Sequence, residues 1–304
     1  MKRVVLCGLG AVGMAFGVRL NDCDEIDFRV AVDKKRLEKY AKNKPCLNGI
    51  EQIFNFILPE TDDYKADLVI ISTKFDGLIE AMETVKNFVT ENTRIISLIN
   101  GISSEKIIKK RFPKTKVLKS YFIGHSAVRN GNNVTHDGTG KIVTENDIVL
   151  KEIFEKSKIE YKFKEDMDYE LWKKFTFNVF SNQISAIFRM NFGELKSNKE
   201  FIPLAKKIIN EIKPIALKEG IKNLENLERD AINSLNEMCD EGKTSMLQDI
   251  LAGRKTEVDI FSGEIINLGK LYEIPTPYNQ VLYDLIKFEE GKNEYSIHSG
   301  KRRK

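Results

Sequence analysis

Two groups of residues in this chain have the types and spacing for chemistry. The first is Gly8-Leu9-Gly10-Ala11-Val12-Gly13, a G-x-G-x-x-G run that follows the apolar stretch Val4–Leu6 and opens a helical stretch from Ala11 to about Leu20. A strand, that glycine pattern and a helix, in that order, are what a dinucleotide site needs. Gly8 permits the turn out of the strand, Gly10 lets a pyrophosphate approach the backbone, and Gly13 lets the helix pack close. The helix N-terminus then offers free N–H groups and a positive dipole end to the phosphates. The second group is Lys174, Asn178 and Asn182, at i, i+4 and i+8 within an otherwise apolar run that includes Trp172, Phe175, Phe177, Val179, Phe180, Ile184, Ile187 and Phe188. Those three positions stack along one helix face. A helix apolar nearly all round is buried, and an unpaired buried polar group costs about 1–3 kcal/mol, a charge more. A substrate cleft would supply the partners; so would a wet helix end with capping or interhelix asparagines.

The elements that must position these groups alternate. After the first helix, Asp27–Asp33 reads as a strand and Lys34–Lys42 as a helix. Asp33, at the end of that strand, is placed to accept both adenosine ribose hydroxyls, which favours NAD and repels a 2′-phosphate. Lys34, Lys35 and Arg36 follow it and would instead clamp such a phosphate, so the two signals conflict. Cys46–Leu58 is irregular. Asp67–Ser72 is a buried strand ending at Thr73-Lys74, with a helix over Leu78–Val89; Arg94–Leu98 is a strand ending at Asn100-Gly101, with a helix from Ser103 to about Arg111; Val117–Ile123 is one more strand. This alternation predicts an α/β fold with a doubly wound parallel sheet. Ligands in such sheets sit beyond the carboxyl ends of the strands, the edge that Lys74 and Asn100 share with the glycine loop.

The polar stretch from His125 to Val143 reads as a strand pair closing the first domain, with His125 and His136 either acid–base candidates or makers of structural hydrogen bonds. From Asn146 onward the chain reads as mostly helical, with helices over Met167–Arg189, Phe201–Lys218, Leu227–Asp240, Ser245–Leu271 and Tyr278–Glu290. Thr244 or Ser245 with Gln248 makes a capping box. The expected division is residues 1–165 for a Rossmann-type domain, 166–295 for an all-α domain and 296–304 for a disordered basic tail.

Bulk properties narrow the class. The chain has 304 residues, 41% of them hydrophobic and 31% charged, with a net charge of +4. That composition is globular, and no apolar run approaches the roughly 20 residues of a membrane helix. A strand three residues from the start leaves no room for a signal peptide. Cys7, Cys23, Cys46 and Cys239 lack metal-site spacing and fit a reducing cytoplasm. The basic tail Lys301–Lys304 reads as a disordered end in preference to a nucleic-acid contact. No membrane or nucleic-acid partner is expected, and the apolar second domain is suited to bury a homodimer face or only its own core.

Over essentially its full length the sequence resembles the ketopantoate reductase (2-dehydropantoate 2-reductase) family. The resemblance is carried by the glycine loop, Lys74, Asn100-Gly101, His136-Asp137-Gly138-Thr139-Gly140, Trp172-Lys173-Lys174 with Asn178 and Asn182, Gly193-Glu194-Leu195, and Ser245-Met246-Leu247-Gln248-Asp249 with Thr256-Glu257-Val258-Asp259. It implies substrate in a cleft between a Rossmann domain and a helical domain. Lys174 then resembles the general acid and Glu257 its partner carboxylate. Asn178, Asn182 and Ser245 resemble the groups that hold the substrate, and Asn100 and Lys74 those that meet the nicotinamide end and the substrate. Gly8, Leu9, Gly10, Ala11, Val12, Gly13, Asp33, Lys34 and Glu257 complete the implied cofactor contacts. Three positions depart from the pattern: Phe192 stands where an asparagine is usual, with Asn191 one position earlier, Ile99 replaces a glutamine, and Asp33 replaces an arginine. The resemblance therefore implies NADPH, whereas Asp33 favours NADH.

The reading from sequence is a dinucleotide-dependent reduction of a 2-oxo acid, with ketopantoate, a precursor of pantothenate, as substrate. A lysine near the developing alkoxide supplies both a proton and a positive charge. A D-2-hydroxyacid dehydrogenase acting on branched or aromatic 2-oxo acids is the alternative that Phe192 and Asp33 motivate. A catalytically silent dinucleotide sensor is the third, and it has no use for a proton donor.

Overall fold

The computed structural model describes residues 1–124, 127–138 and 140–300, with side chains to residue 292. Two compact units divide the chain, residues 1–167 and 168–304. In the first, β1 (Lys2–Cys7), α1 (Ala11–Asn21), β2 (Ile26–Ala31), α2 (Lys34–Lys42), three two-residue strands β3 (Cys46–Leu47), β4 (Ile50–Glu51) and β5 (Phe56–Ile57), β6 (Leu68–Ile71), α3 (Leu78–Val85), β7 (Arg94–Ser97), α4 (Ser104–Arg111) and β8 (Lys116–Leu118) follow in order. Among the described residues the main sheet runs β5-β2-β1-β6-β7-β8, every pair parallel. Successive residues of β1 feed opposite faces. Val4 and Leu6 join one core with Phe16, Val30 and Phe154, while Val5 and Cys7 join the other with Val69, Leu78 and Phe88. Both faces are covered, which is why the strands read as unbroken apolar runs.

The stretch expected as a single strand over Val117–Ile123 is two. β8 closes the main sheet against β7, and β9 (Ser120–Ile123) leaves it to pair antiparallel with β12 (Lys141–Thr144). The switch falls at Lys119, whose carbonyl accepts Glu145 N–H at 3.3 Å and Thr144 Oγ1 at 3.0 Å. The strand pair expected within His125–Val143 is likewise divided between two sheets. β10 (Ala127–Asn130) and β11 (Asn133–His136) form a hairpin that β3 extends, whereas β12 sits between β9 and β13 (Glu160–Phe163). α5 (Ile148–Lys156) precedes β13, a strand that the mostly helical reading of this region does not single out. Its two-residue alternation, with Tyr161 and Phe163 more buried than Glu160 and Lys162, spans only four residues.

The second unit is helical. α6 (Met167–Phe188), α7 (Phe192–Ser197), α8 (Phe201–Lys218), α9 (Leu227–Asn233), α10 (Ser245–Leu251), α11 (Ser262–Tyr272) and α12 (Pro277–Gly300) succeed one another. The helix expected over Ser245–Leu271 is broken. α10 ends at Leu251, Gly253 takes a left-handed φ of +64°, and Arg254 N–H returns to the Asp249 carbonyl at 2.8 Å. Leu78–Val89 and Leu227–Asp240 are shorter helices than expected, each running on into a 3₁₀ turn. Pro277 occupies the first helical position of α12, where its missing N–H costs nothing. That helix continues past Glu290 to Gly300 and so takes in residues 296–300 of the expected tail. His125, Thr139 and Lys301–Lys304 lie outside the described residues. No described helix is long and apolar enough to cross a membrane.

Candidate functional site

In the first unit the candidate residues gather at one sheet edge. Four neighbouring parallel strands, β2, β1, β6 and β7, end there and are followed by Asp33, by Gly8–Gly13, by Thr73-Lys74 and by Asn100-Gly101 respectively. The glycines divide by reason. Gly8 has φ +109°, and a Cβ on it would lie 2.7 Å from the Ser72 carbonyl carbon; a Cβ on Gly13 would lie 1.9 Å from the Gly8 oxygen. Both are demanded by the protein itself. Gly10 is different: the nearest atom to an added Cβ is the Ser72 oxygen at 3.8 Å. Room is kept over Gly10 that the protein does not fill, next to the α1 N-terminus, which carries no side-chain cap. This fits the pyrophosphate of a dinucleotide. Leu9 is buried, and Ala11 and Val12 pack against the core, so these three offer backbone rather than side chains. Ser72 was not among the sequence candidates. Its hydroxyl donates to the Gly8 carbonyl at 2.7 Å and locks the loop to β6; a serine closing a buried strand beside a glycine turn is the signal that marked it.

Asp33 is held otherwise than expected. It is the N-cap of α2, and its Oδ1 accepts Arg36 N–H at 2.6 Å. Oδ2 lies 3.6 Å from Arg36 Nε. A carboxylate that ends a strand and begins a helix satisfies an orphan backbone donor first, so one oxygen is committed before any ribose arrives. Lys34 reaches Glu60 at 3.3 Å. Lys74 is exposed and Asn100 half-buried, each on its own turn.

His136 has a structural part. Its Nδ1 accepts Gly138 N–H at 2.7 Å, its backbone is bonded on both sides by the Asn48 side chain, and Arg19 grips the Gly138 carbonyl at 2.8 Å. Burial lowers its pKa, with Arg19 helping and Asp137 opposing. A neutral, bonded imidazole of this kind fixes a turn.

In the second unit α6 carries Lys174, Asn178 and Asn182 about 6 Å apart along one face. Lys173, beside Lys174, is committed to Glu170. Asn178 is half-buried, and among the described residues its amide has no hydrogen-bond partner. Asn182 is buried; its Oδ1 accepts Ser245 Oγ at 3.2 Å and Met246 N–H at 3.4 Å. The pair named from sequence as substrate contacts thus touch each other, and Asn182 anchors the start of α10. The capping box expected there is half present. Thr244 is the N-cap and accepts Leu247 N–H at 3.2 Å, while Gln248 turns to the Lys243 carbonyl at 3.1 Å.

A full capping box occurs instead at α7, where Asn191 accepts Glu194 N–H at 2.8 Å and Glu194 accepts Asn191 N–H at 2.7 Å. The Asn191 side-chain oxygen is therefore engaged locally. Phe192 stacks on Phe177 with centroids 6.4 Å apart.

Glu257 is half-buried and heads a 3₁₀ turn, in the segment freed by the helix break. The chain on either side of it, at Thr256 and Asp259, is clamped by α12. Thr256 donates its N–H and its hydroxyl to the same Glu290 oxygen, at 2.7 Å each. Asp259 accepts from Tyr283 at 2.9 Å and Lys287 at 3.0 Å. Those bonds hold the Asp259 carboxyl below its ordinary pKa against the opposing effect of burial.

A family model described as ketopantoate reductase PanE/ApbA matches residues 4–146, and its C-terminal counterpart matches residues 166–290. The 2-dehydropantoate 2-reductase of Pyrococcus horikoshii is 29% identical over 95% of this chain and 97% of its own. Among solved structures, a D-mandelate dehydrogenase in ternary complex with NADH and anilino(oxo)acetate matches with a TM-score of 0.83 at 23% identity, covering 96% of this chain and 100% of that one. A PanE/ApbA family ketopantoate reductase from Ralstonia eutropha JMP134 matches at 0.78 and 21% identity, with the same coverage. The two solved structures share the fold.

Proposed function

The chain belongs to the ketopantoate reductase family, and from that premise we propose that this oxidoreductase reduces a 2-oxo acid at the expense of a reduced nicotinamide dinucleotide, with ketopantoate as substrate. The observation that carries the reading is the polar line on α6, where Lys174 and Asn178, whose amide has no hydrogen-bond partner among the described residues, stand half-buried on one face of a largely buried helix. Gly8–Gly13 would hold the dinucleotide, Gly10 leaving the room that its pyrophosphate needs. When bound, its nicotinamide supplies the hydride equivalent that a 2-oxo carbon accepts.

Lys174 stabilises the developing alkoxide by its charge and then protonates it. Asn178 donates to the substrate carboxylate. Asn182 has its oxygen engaged by α10, so its two amide hydrogens remain for the substrate. Ser245 works as a positioning residue through Asn182. Glu257 orients the lysine. Ionised, it would also hold the ammonium charged, so its part is positional.

A second reading has one observation in its favour. Where an amide would meet a terminal hydroxyl there is Phe192, and the nearby Asn191 amide is already in a capping box. A 2-oxo acid with an apolar branched or aromatic tail would then be preferred, as in a D-2-hydroxyacid dehydrogenase.

Initial rates of nicotinamide oxidation with ketopantoate, 2-oxoisovalerate and phenylglyoxylate test both. Fastest turnover with ketopantoate supports the first reading, and a clear preference for an acid without the terminal hydroxyl supports the second. Lys174→Ala should lower kcat by about 10²–10⁴. Loss of less than tenfold would remove Lys174 as the acid, and no turnover of any of the three acids would remove the reductase reading.

A further inference from the structure

Around the end of β2 the structure sets carboxylates against Lys34 and Arg36. Arg36 lies between two of them. Its backbone N–H and Nε face Asp33 at 2.6 Å and 3.6 Å, and its Nη1 faces Glu80 of α3 at 3.4 Å. Lys34 meets Glu60 at 3.3 Å. Lys35 stands exposed. The cluster sits at the glycine loop: buried Cys7, the residue before Gly8, feels Arg36, Glu80 and Asp33 together, its thiol being pushed up to about 12 mainly by burial.

A 2′-phosphate is gripped by an arginine fork whose N–H groups are free to meet two oxygens. Here the fork already faces carboxylates. These ion pairs are exposed and weak as stabilisers of the fold, so their strength is not what matters. What matters is placement, because a phosphate brought to Arg36 meets the two carboxylates that its guanidinium already faces. A ribose 2′-hydroxyl meets no such repulsion and can donate to Asp33 Oδ2.

We propose that Glu80, acting with Asp33, makes this chain selective for a dinucleotide with a free 2′-hydroxyl by holding Arg36 as a counter-ion, away from a 2′-phosphate. The proposal rests on the dinucleotide reading above and names the ribose chemistry of that site. The sequence places Asp33 and the three basic residues side by side; Glu80 is 44 residues further along than Arg36 and joins them only in the folded chain.

The experiment is calorimetric titration of the full chain with 5′-AMP and with adenosine 2′,5′-bisphosphate. 5′-AMP should bind at least about tenfold tighter. Glu80→Gln should shrink that ratio about fivefold, the effect of one unit charge at about 4 Å in water-like surroundings. Adding Asp33→Asn, which keeps a capping oxygen, should shrink it further. Glu80 is exposed, and thermal unfolding of each variant checks that it folds. Tighter binding of the bisphosphate by the unaltered chain, or a ratio that Glu80→Gln does not move, overturns the proposal and leaves the dinucleotide reading intact. Failure of both nucleotides to bind overturns both.

Discussion

At the scale of single residues, the glycine loop separates what the fold needs from what a ligand needs. A methyl group on Gly13 would stand 1.9 Å from the Gly8 oxygen, between rigid backbone segments. Gly13→Ala should therefore destabilise the first unit by about 3 kcal/mol or more, since overpacking against backbone has no cheap relaxation. Gly10→Ala meets nothing closer than 3.8 Å and keeps an ordinary φ of −77°. Its cost to stability should stay near that of a poorer N-cap, under about 1 kcal/mol, while affinity for 5′-AMP-containing dinucleotides falls at least tenfold. Chemical denaturation and dinucleotide titration of the two variants check this. Equal losses of stability would mean that Gly10, too, serves only the turn.

At the scale of elements, α12 governs the segment that holds Glu257. The break after α10 leaves Thr256–Asp259 with only a single 3₁₀ turn of its own, and a segment with so few local hydrogen bonds depends on its neighbours to hold it. Glu290 ties Thr256 by two bonds to one oxygen, and Lys287 with Tyr283 ties Asp259. Glu290→Ala should lower kcat about tenfold while dinucleotide affinity stays put. Glu290→Gln, which retains the accepting oxygen, should recover most of the rate. Steady-state kinetics alongside the melting temperature make the check. A fall that tracks stability alone, or that Gln does not rescue, would leave α12 with packing as its whole part.

At the scale of the whole molecule, stability should depend on pH through a buried acid of the first unit. Glu105 of α4 is 8% exposed and accepts the Ser104 hydroxyl at 2.9 Å. Burial pushes its carboxyl up to about 7, against the lowering effect of its backbone and Ser104 bonds. The folded pKa lies above the unfolded one, so this contribution is complete below about pH 4.5 and is lost as pH rises to about 7, by at most about 3 kcal/mol. His136, with its pKa lowered by burial, works in the opposite direction, gaining stability as pH rises toward 6.5. The difference between the natural chain and Glu105→Gln isolates the acid. Between pH 5 and pH 8 the natural chain should lose more stability than the variant, and parallel curves would contradict the assignment.

Much of this architecture is local and therefore readable in the chain. Apolar runs with no polar alternation mark strands buried on both faces, a glycine triplet between strand and helix marks a phosphate turn, and i, i+4, i+8 spacing marks one face of α6. Each follows from backbone geometry within a dozen residues. Partner choice does not. Nothing near Lys119 states that the strand changes sheets there, since that depends on Thr144 and Glu145. A glycine within an apolar period is compatible with a continuous helix; in the folded chain the Arg254–Asp249 bonds and the hold of Glu290 on Thr256 accompany the break before Glu257. Asp33 looked like a ribose acceptor, Asn182 and Ser245 like substrate contacts, and Asn191 like a displaced one. The folded chain adds to each a local bond that the sequence does not state, Asp33 and Asn191 to a helix N–H and Asn182 and Ser245 to each other, because a polar group leaving water takes a donor or acceptor that packing brings to it.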